Sequence, residues 1–462
     1  MTFVSFEYLV LLVSTCALYY LLPWRARILL LLAASYVFYA YWEPWYALVI
    51  GSTTLVDYAA ALLIDRADSK TRRRALLATS IVFNLGMLFY FKYTNFALDT
   101  LRPVAGALGV GLPTLEILLP AGISFYTFQE MSYTIDVYRR RIRPTRDLAL
   151  FATFVSFFPQ LVAGPIERAE TLMPQLATRH SFEPGRIASG LGLILIGLAK
   201  KLVLADRLVY FAAPKFLDPG AYDSWELLLC LALMPVSLYL DFGGYTDIAR
   251  GSGRLLGIEL QRNFLFPFAS ANPLEIWRRW HITLVSWIRD YVFVLFPANP
   301  ALSFIVPLVL VGLWHGADWK FALWGLGQGV AAAVYVYWRI EAPAALRPRR
   351  WGVLASTGWL VHVGYNMLLV PLFFSPDTTG AVAYWRRLFT GGFASFGESS
   401  HTAALAFLLL FLGAQIAGRN WDWRGFWDAL PAPVRGFAAV VLFYMVLFGA
   451  VPMAQRFVYF QF

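Results

Sequence analysis

The sequence predicts an all-α protein threaded many times through a membrane, and three observations carry that prediction. Of 462 residues, 59% are hydrophobic and only 14% charged, against roughly 25% charged in soluble domains. The apolar residues arrive in blocks of roughly fifteen to twenty-five, long enough as helix to cross a hydrocarbon core of about 30 Å. The basic residues fall in short loops between those blocks. The formal net charge of +10 therefore reads as membrane topology, and no nucleic-acid partner is expected. Cys16 and Cys230 both lie inside apolar blocks, which leaves neither a disulfide framework nor a thiolate metal cluster.

The first block, Phe3 to Leu22, lacks a basic leader and a small-residue cleavage site, so it is expected to stay as a helix. Further blocks run over Ile28 to Tyr41, Trp45 to Ile64, Ala75 to Phe96, Ile117 to Tyr138, Ile187 to Phe211 and Trp225 to Tyr245. The second half adds Ala301 to Trp314, Phe321 to Trp338, Val353 to Phe374, Ala403 to Ile416 and Phe437 to Val451. The total is about eleven or twelve transmembrane helices. Phe151 to Ala163 has thirteen residues and contains Pro159, which favours a re-entrant or interfacial segment. Thr246 to Arg289 mixes six arginines with Trp277, Trp280 and Trp287, a composition suited to interfacial helices. With no internal repeat and no soluble stretch of size, one membrane domain is expected over residues 1–462.

Basic residues orient the array. Arg25 and Arg27 follow the first block, Arg66, Lys70 and Arg72 to Arg74 the third, and Arg139 to Arg141, Arg143 and Arg146 the fifth. These loops are cytoplasmic by the positive-inside rule, which puts the amino terminus outside.

Chemistry has few places to sit. His315, in Leu313-Trp314-His315-Gly316 at the end of an apolar run, is an ionisable side chain expected at membrane depth. A neutral imidazole there can take the proton of a hydroxyl attacking a thioester, or simply hydrogen-bond a neighbouring helix. Gly312 and Gly316 allow close backbone approach. His281 follows Trp277-Arg278-Arg279-Trp280 and reads by composition as interfacial. Arg278 and Arg279 suit donor phosphates or lipid headgroups equally. Asp241 and Asp247 bracket Phe242-Gly243-Gly244-Tyr245-Thr246; they either serve a site or cap helices and pair with Arg250 and Arg254. Gln129 and Glu130 lie in a block rich in hydroxyls and amides, whose polar side chains must face a cavity or a neighbouring helix. His180, His362 and His401 have no partner at metal-ligand spacing, so no metal and no bound cofactor is expected.

Several ordered motifs together resemble one family. They are Leu119 to Gln129, Phe158 to Ile166, Asp241 to Asp247, Asn263-Phe264 with Pro267-Phe268, Trp277 to His281, Gly312 to Gly316, and the closing Tyr459 to Phe462. The chain is similar to the membrane-bound O-acyltransferases (MBOAT), in particular the bacterial polysaccharide branch to which the membrane subunits of alginate O-acetylation belong.

The resemblance implies a ring of tilted helices around a thinned centre with a funnel on each face. It implies that His315 is the near-invariant catalytic histidine, and that His281, on a second catalytic position held by asparagine, aspartate or histidine in different branches, positions the donor or assists proton transfer. It further implies an acyl group, acetyl from acetyl-coenzyme A or an acyl-carrier thioester, carried from a cytoplasmic donor to an outward-facing hydroxyl. Arg278, Arg279, Trp314, Gln129, Asp241 and Asp247 are the candidates for binding donor or substrate. The partners would be membrane lipid, an exported or membrane-anchored acetyltransferase and a polysaccharide acceptor, at the bacterial inner membrane. D-alanyl transfer from a carrier protein to teichoic acid is the alternative within the family. A permease or flippase without acyl transfer, or a non-catalytic scaffold, is the alternative outside it.

Overall fold

A computed structural model describes residues 1–296, 299–341, 353–419, 421, 426–427 and 429–451. Among them there is no β-strand. The helices are α1 Phe6–Leu21, α2 Trp24–Ala40, α3 Tyr46–Arg66, α4 Lys70–Ala107, α5 Ile123–Tyr138, α6 Leu148–Ser156, α7 Ala169–Leu176, α8 Pro184–Leu217 and α9 Ser224–Leu255. They continue with α10 Pro273–Trp277, α11 Ile282–Tyr291, α12 Pro300–His315, α13 Trp319–Glu341, α14 Val353–Phe374, α15 Thr378–Thr390, α16 Ser399–Gly418 and α17 Ala432–Gly449. Each apolar block corresponds to one helix. Among the described residues seven helices are long and apolar enough to cross a membrane, and α1 and most of α12 are shorter apolar helices.

Two boundaries differ from expectation. The fifth block starts as helix only at Ile123, because Pro120 and a left-handed Gly122 (φ 76°) precede it. The Asp241 to Asp247 segment neither breaks the helix nor opens an interfacial stretch. Helix α9 runs unbroken through Gly243 and Gly244 to Leu255, so the stretch expected to be interfacial leaves the helix about ten residues later than the sequence suggests. Beyond it lie the short helices α10 and α11. The closing Tyr459 to Phe462 motif lies outside the described residues.

The chain divides into two compact units, residues 1–197 with 245–261, and residues 198–244 with 262–462. In the first, the hydroxyl-rich α5 turns its polar side chains to neighbouring helices. Glu130 accepts from Thr54 of α3 at 2.9 Å. Asp57 of α3 accepts from Ser80 (2.5 Å) and Asn84 (2.7 Å) of α4, and Ser80 also reaches Thr134 of α5 at 3.1 Å. In hydrocarbon such groups must find partners within the protein. Helix α6 spans nine residues and leads into a buried turn, too short to cross. The turn is tied back by Phe158 N donating to Ser35 Oγ (3.0 Å) and Gly164 N to Gln160 O (2.8 Å).

In the second unit, α12 and α13 form a tight hairpin. A Cβ on Gly312 would land on the Phe321 carbonyl, and one on Gly325 on the Leu308 carbonyl. The two backbones therefore approach as only glycine permits. We expect Gly312→Val to lower the thermal midpoint of the detergent-solubilised protein by several degrees, since overpacking typically costs about 1–3 kcal/mol. An unchanged midpoint would mean that the hairpin opens freely.

Candidate active site

His315 is the last residue of α12 and is buried. Its position follows from the hairpin, because the helix ends where Gly316 turns the chain toward α13. The imidazole is boxed by aromatic rings: Trp314 at 5.0 Å, Phe373 of α14 at 5.1 Å and Trp324 of α13 at 5.6 Å between centroids. A helix carboxyl end carries partial negative charge, which favours a positive charge formed there.

His281 lies between α10 and α11 with left-handed backbone, φ 45° and ψ 51°. Two strands of chain hold it there. Leu265 N donates to Arg279 O (3.0 Å) and Ile282 N to Asn263 O (2.9 Å), while Thr283 Oγ1 donates to Asn263 Oδ1 (2.6 Å). Phe264 packs on Trp280 and Phe242. The Asn263-Phe264 motif is thus the brace of the histidine loop. The His281 ring meets Phe242 at 4.8 Å and Trp314 at 5.6 Å, so Trp314 stands between the two imidazoles, touching both.

His281 is 1% exposed, and burial drives its imidazole down to about 3. It is neutral at physiological pH and supplies no cationic charge. Below the unfolded value of about 6.5 the unfolded chain takes up a proton that the folded chain refuses. Stability from this residue is therefore full above that pH and falls as pH drops toward 3. His281→Asn, which tolerates the same backbone, should flatten the dependence of the thermal midpoint on pH between about 4 and 6.5. Identical slopes for variant and wild type would count against a neutral buried ring.

The other candidates fall into different settings. Arg279 pairs with Glu275 at 3.2 Å and donates to Leu265 O at 3.1 Å, a bracing role, and Glu275 also holds Arg419 at 2.9 Å. Arg278 is exposed. Asp241 pairs with a lysine of α8. It meets Lys201 at 2.8 Å, and Lys201 meets Asp206 at 2.8 Å, all three buried. Lys201 sits on a π-helical stretch of α8, Ala199–Ala205. Asp247 pairs with Arg250 at 3.3 Å, as one sequence reading expects, while Arg254 takes Glu259 instead. Gln129 donates to Phe154 O (2.6 Å) and accepts from Gln160 (3.1 Å), which ties α5 to the buried turn. Gln129 and Asp247 belong to the first unit.

His315, Trp277, Trp280, Trp324 and Phe373 line a cavity of about 430 Å³ within the second unit. It is walled mostly by aromatic and aliphatic side chains, with a few polar groups, the usual make-up of a ligand site. Two of those polar residues, Gln328 and Asn366, escape sequence reasoning, and a third, His362, is considered there only as a metal ligand. The available signal is the i,i+4 spacing of His362 and Asn366, which puts both on one face of a helix. Among the described residues no group of three or more His, Cys, Asp or Glu is placed to hold a metal ion.

Residues 139–350 match the model of MBOAT, the membrane-bound O-acyltransferase family. The chain is 40% identical over 365 residues to the probable alginate O-acetylase AlgI of Azotobacter vinelandii, covering 76% of this chain and 72% of that protein. This chain belongs to the membrane-bound O-acyltransferase family. It is also 34% identical over 337 residues to the peptidoglycan O-acetyltransferase of Helicobacter pylori, covering 66% and 63% of the two chains. Similarity to the teichoic acid D-alanyltransferase of Streptococcus thermophilus is more distant, 26% over 244 residues, covering 49% and 59%. The protein is accordingly an enzyme, a membrane O-acyltransferase.

Proposed function

We propose that this acyltransferase moves an acetyl group from a cytoplasmic thioester, acetyl-coenzyme A, to a hydroxyl presented from outside, for O-acetylation of an exported or cell-envelope polysaccharide. The observation that carries the proposal is a histidine at a helix carboxyl end, ringed by aromatics, in the wall of a cavity. His315 takes the proton of the acceptor hydroxyl. The oxygen then adds to the thioester carbon, and collapse breaks the carbon–sulfur bond. The leaving thiolate recovers the proton from the imidazolium. His281, neutral and linked through Trp314, orients the site. The exposed Arg278 is suited to the donor's phosphates.

The names of the more similar relatives support acetyl over D-alanyl transfer. The positions of the basic loops support an amino terminus outside, in a bacterial inner membrane. An exported or membrane-anchored transferase as acyl relay fits a donor and an acceptor on opposite faces. We take the catalytic domain to comprise the whole chain, because neither unit is a continuous stretch and α9 contributes residues to both.

The test supplies purified enzyme and its exported partner with radiolabelled acetyl-coenzyme A, or with a D-alanyl carrier protein. Label passing to partner or polymer from acetyl-coenzyme A is expected. Label passing only from the D-alanyl carrier would replace acetyl by D-alanyl.

A further inference from the structure

The cavity beside His315 has one polar face, and its residues are bonded into a chain. Gln328 of α13 donates its Nε2 to Asn366 Oδ1 at 2.8 Å. Asn366 of α14 donates to the His362 carbonyl at 2.8 Å, and its amide lies 3.1 Å from His362 Nδ1. All three line the cavity, and Gln328 and His362 are buried. Two further polar atoms of lining residues, Trp277 Nε1 and Ser270 Oγ, are buried with no hydrogen-bond partner among the described residues. A glutamine amide has four hydrogen-bonding sites, of which the bond to Asn366 commits one. Polar groups held in order along an otherwise apolar wall cost stability unless a ligand or water uses them.

Position along the helices indicates what that ligand presents. Trp324, which touches the His315 ring, lies one turn from Gln328 on α13, about 6 Å along the axis. Phe373, which also touches it, lies seven residues from Asn366 on α14, about 10 Å along the axis. A thioester whose acyl carbon is at His315 and whose sulfur carries a pantetheine arm has amide nitrogens four and eight bonds from that carbon. Extended, these lie roughly 5 and 10 Å away.

We infer that the Gln328–Asn366–His362 chain is a positioning site for a secondary amide of the donor's pantetheine arm, holding the thioester in register with His315. This rests on the acetyl-transfer reading above. The site discriminates donors by what lies behind the sulfur and leaves the acceptor unselected. Coenzyme A and an acyl-carrier protein share this arm, so the chain serves either.

The test compares acetyl-coenzyme A, an acetyl-loaded carrier protein, S-acetyl-N-acetylcysteamine with one amide, and S-ethyl thioacetate with none. Wild type is set beside Gln328→Met, Asn366→Leu and the conservative Gln328→Asn, each first shown to be monodisperse with a wild-type thermal midpoint. Gln328→Met should raise KM about tenfold for whichever pantetheine donor wild type uses. It should also lower kcat several-fold, because the thioester is no longer held in register, and leave kcat and KM for S-ethyl thioacetate within twofold of wild type, with Gln328→Asn intermediate. Use of coenzyme A alone or of the carrier alone identifies the source of the arm and supports the site equally. Equal losses for donors with and without amides, or no loss, would overturn the site and leave acetyl transfer standing. If wild type transfers from no acetyl thioester, the acetyl-transfer reading and this site fall together.

Discussion

Replacing His315 by alanine should cut acyl transfer by about a thousandfold while leaving a folded, membrane-inserted protein, since loss of a general base typically costs about 10²–10⁴ in rate. The side chain closes α12 and contacts Trp314, Trp324 and Phe373, so alanine removes one ring from an aromatic box whose other members remain. His315→Gln retains most of the volume and a hydrogen-bonding end without a titratable nitrogen. It should be nearly as inactive and closer to wild type in thermal midpoint. The loss should fall on kcat, because proton removal matters in the transition state and little in donor binding. Single-turnover transfer from labelled acetyl-coenzyme A measures it. Activity of His315→Ala within threefold of wild type would remove the histidine from the chemistry.

The second large effect concerns stability. Lys201 meets Asp206 and Asp241, each at 2.8 Å, and none of the three is more than 1% exposed. Lys201→Met leaves two carboxylates with their cation gone, and breaking a buried ion pair from one side costs about 3–5 kcal/mol. We expect a sharply lowered thermal midpoint in detergent and poor recovery from membranes. The triple replacement Lys201→Met, Asp206→Asn, Asp241→Asn should recover much of the loss, because the penalty lies in the uncompensated charge. The triad ties the π-helical stretch of α8 to α9 one residue before Phe242, whose ring packs on His281. A Lys201→Met protein melting with wild type would show that the triad contributes nothing.

Periodicity and charge spacing made the helices legible, because hydrocarbon demands long apolar runs and loops demand polar ones. Ends were harder to read. Nothing in Asp241 to Asp247 tells a helix that stops from one that runs on ten residues, since glycine pairs are tolerated once neighbours pack around them. His315 stood out because it ends an apolar run. Lys201 did not, since it lies inside the Ile187 to Phe211 block and its partner Asp241 is forty residues away on another helix. Gln328 and Asn366 come from different helices, and only packing shows that they meet. The same holds for Gln129, whose amide is used to bind α5 to the turn after α6.

The left-handed backbone at His281 bears on which sequences this loop can explore. Among residues other than glycine, asparagine, aspartate and histidine are the ones most often found at positive φ. The resemblance to the family implies those same three at this position in its different branches. Backbone tolerance thus narrows the alphabet before chemistry chooses within it. A saturation library at 281 should return few functional members outside that small set, however permissive the selection. An evolving lineage can trade one of these side chains for another while the loop keeps its path.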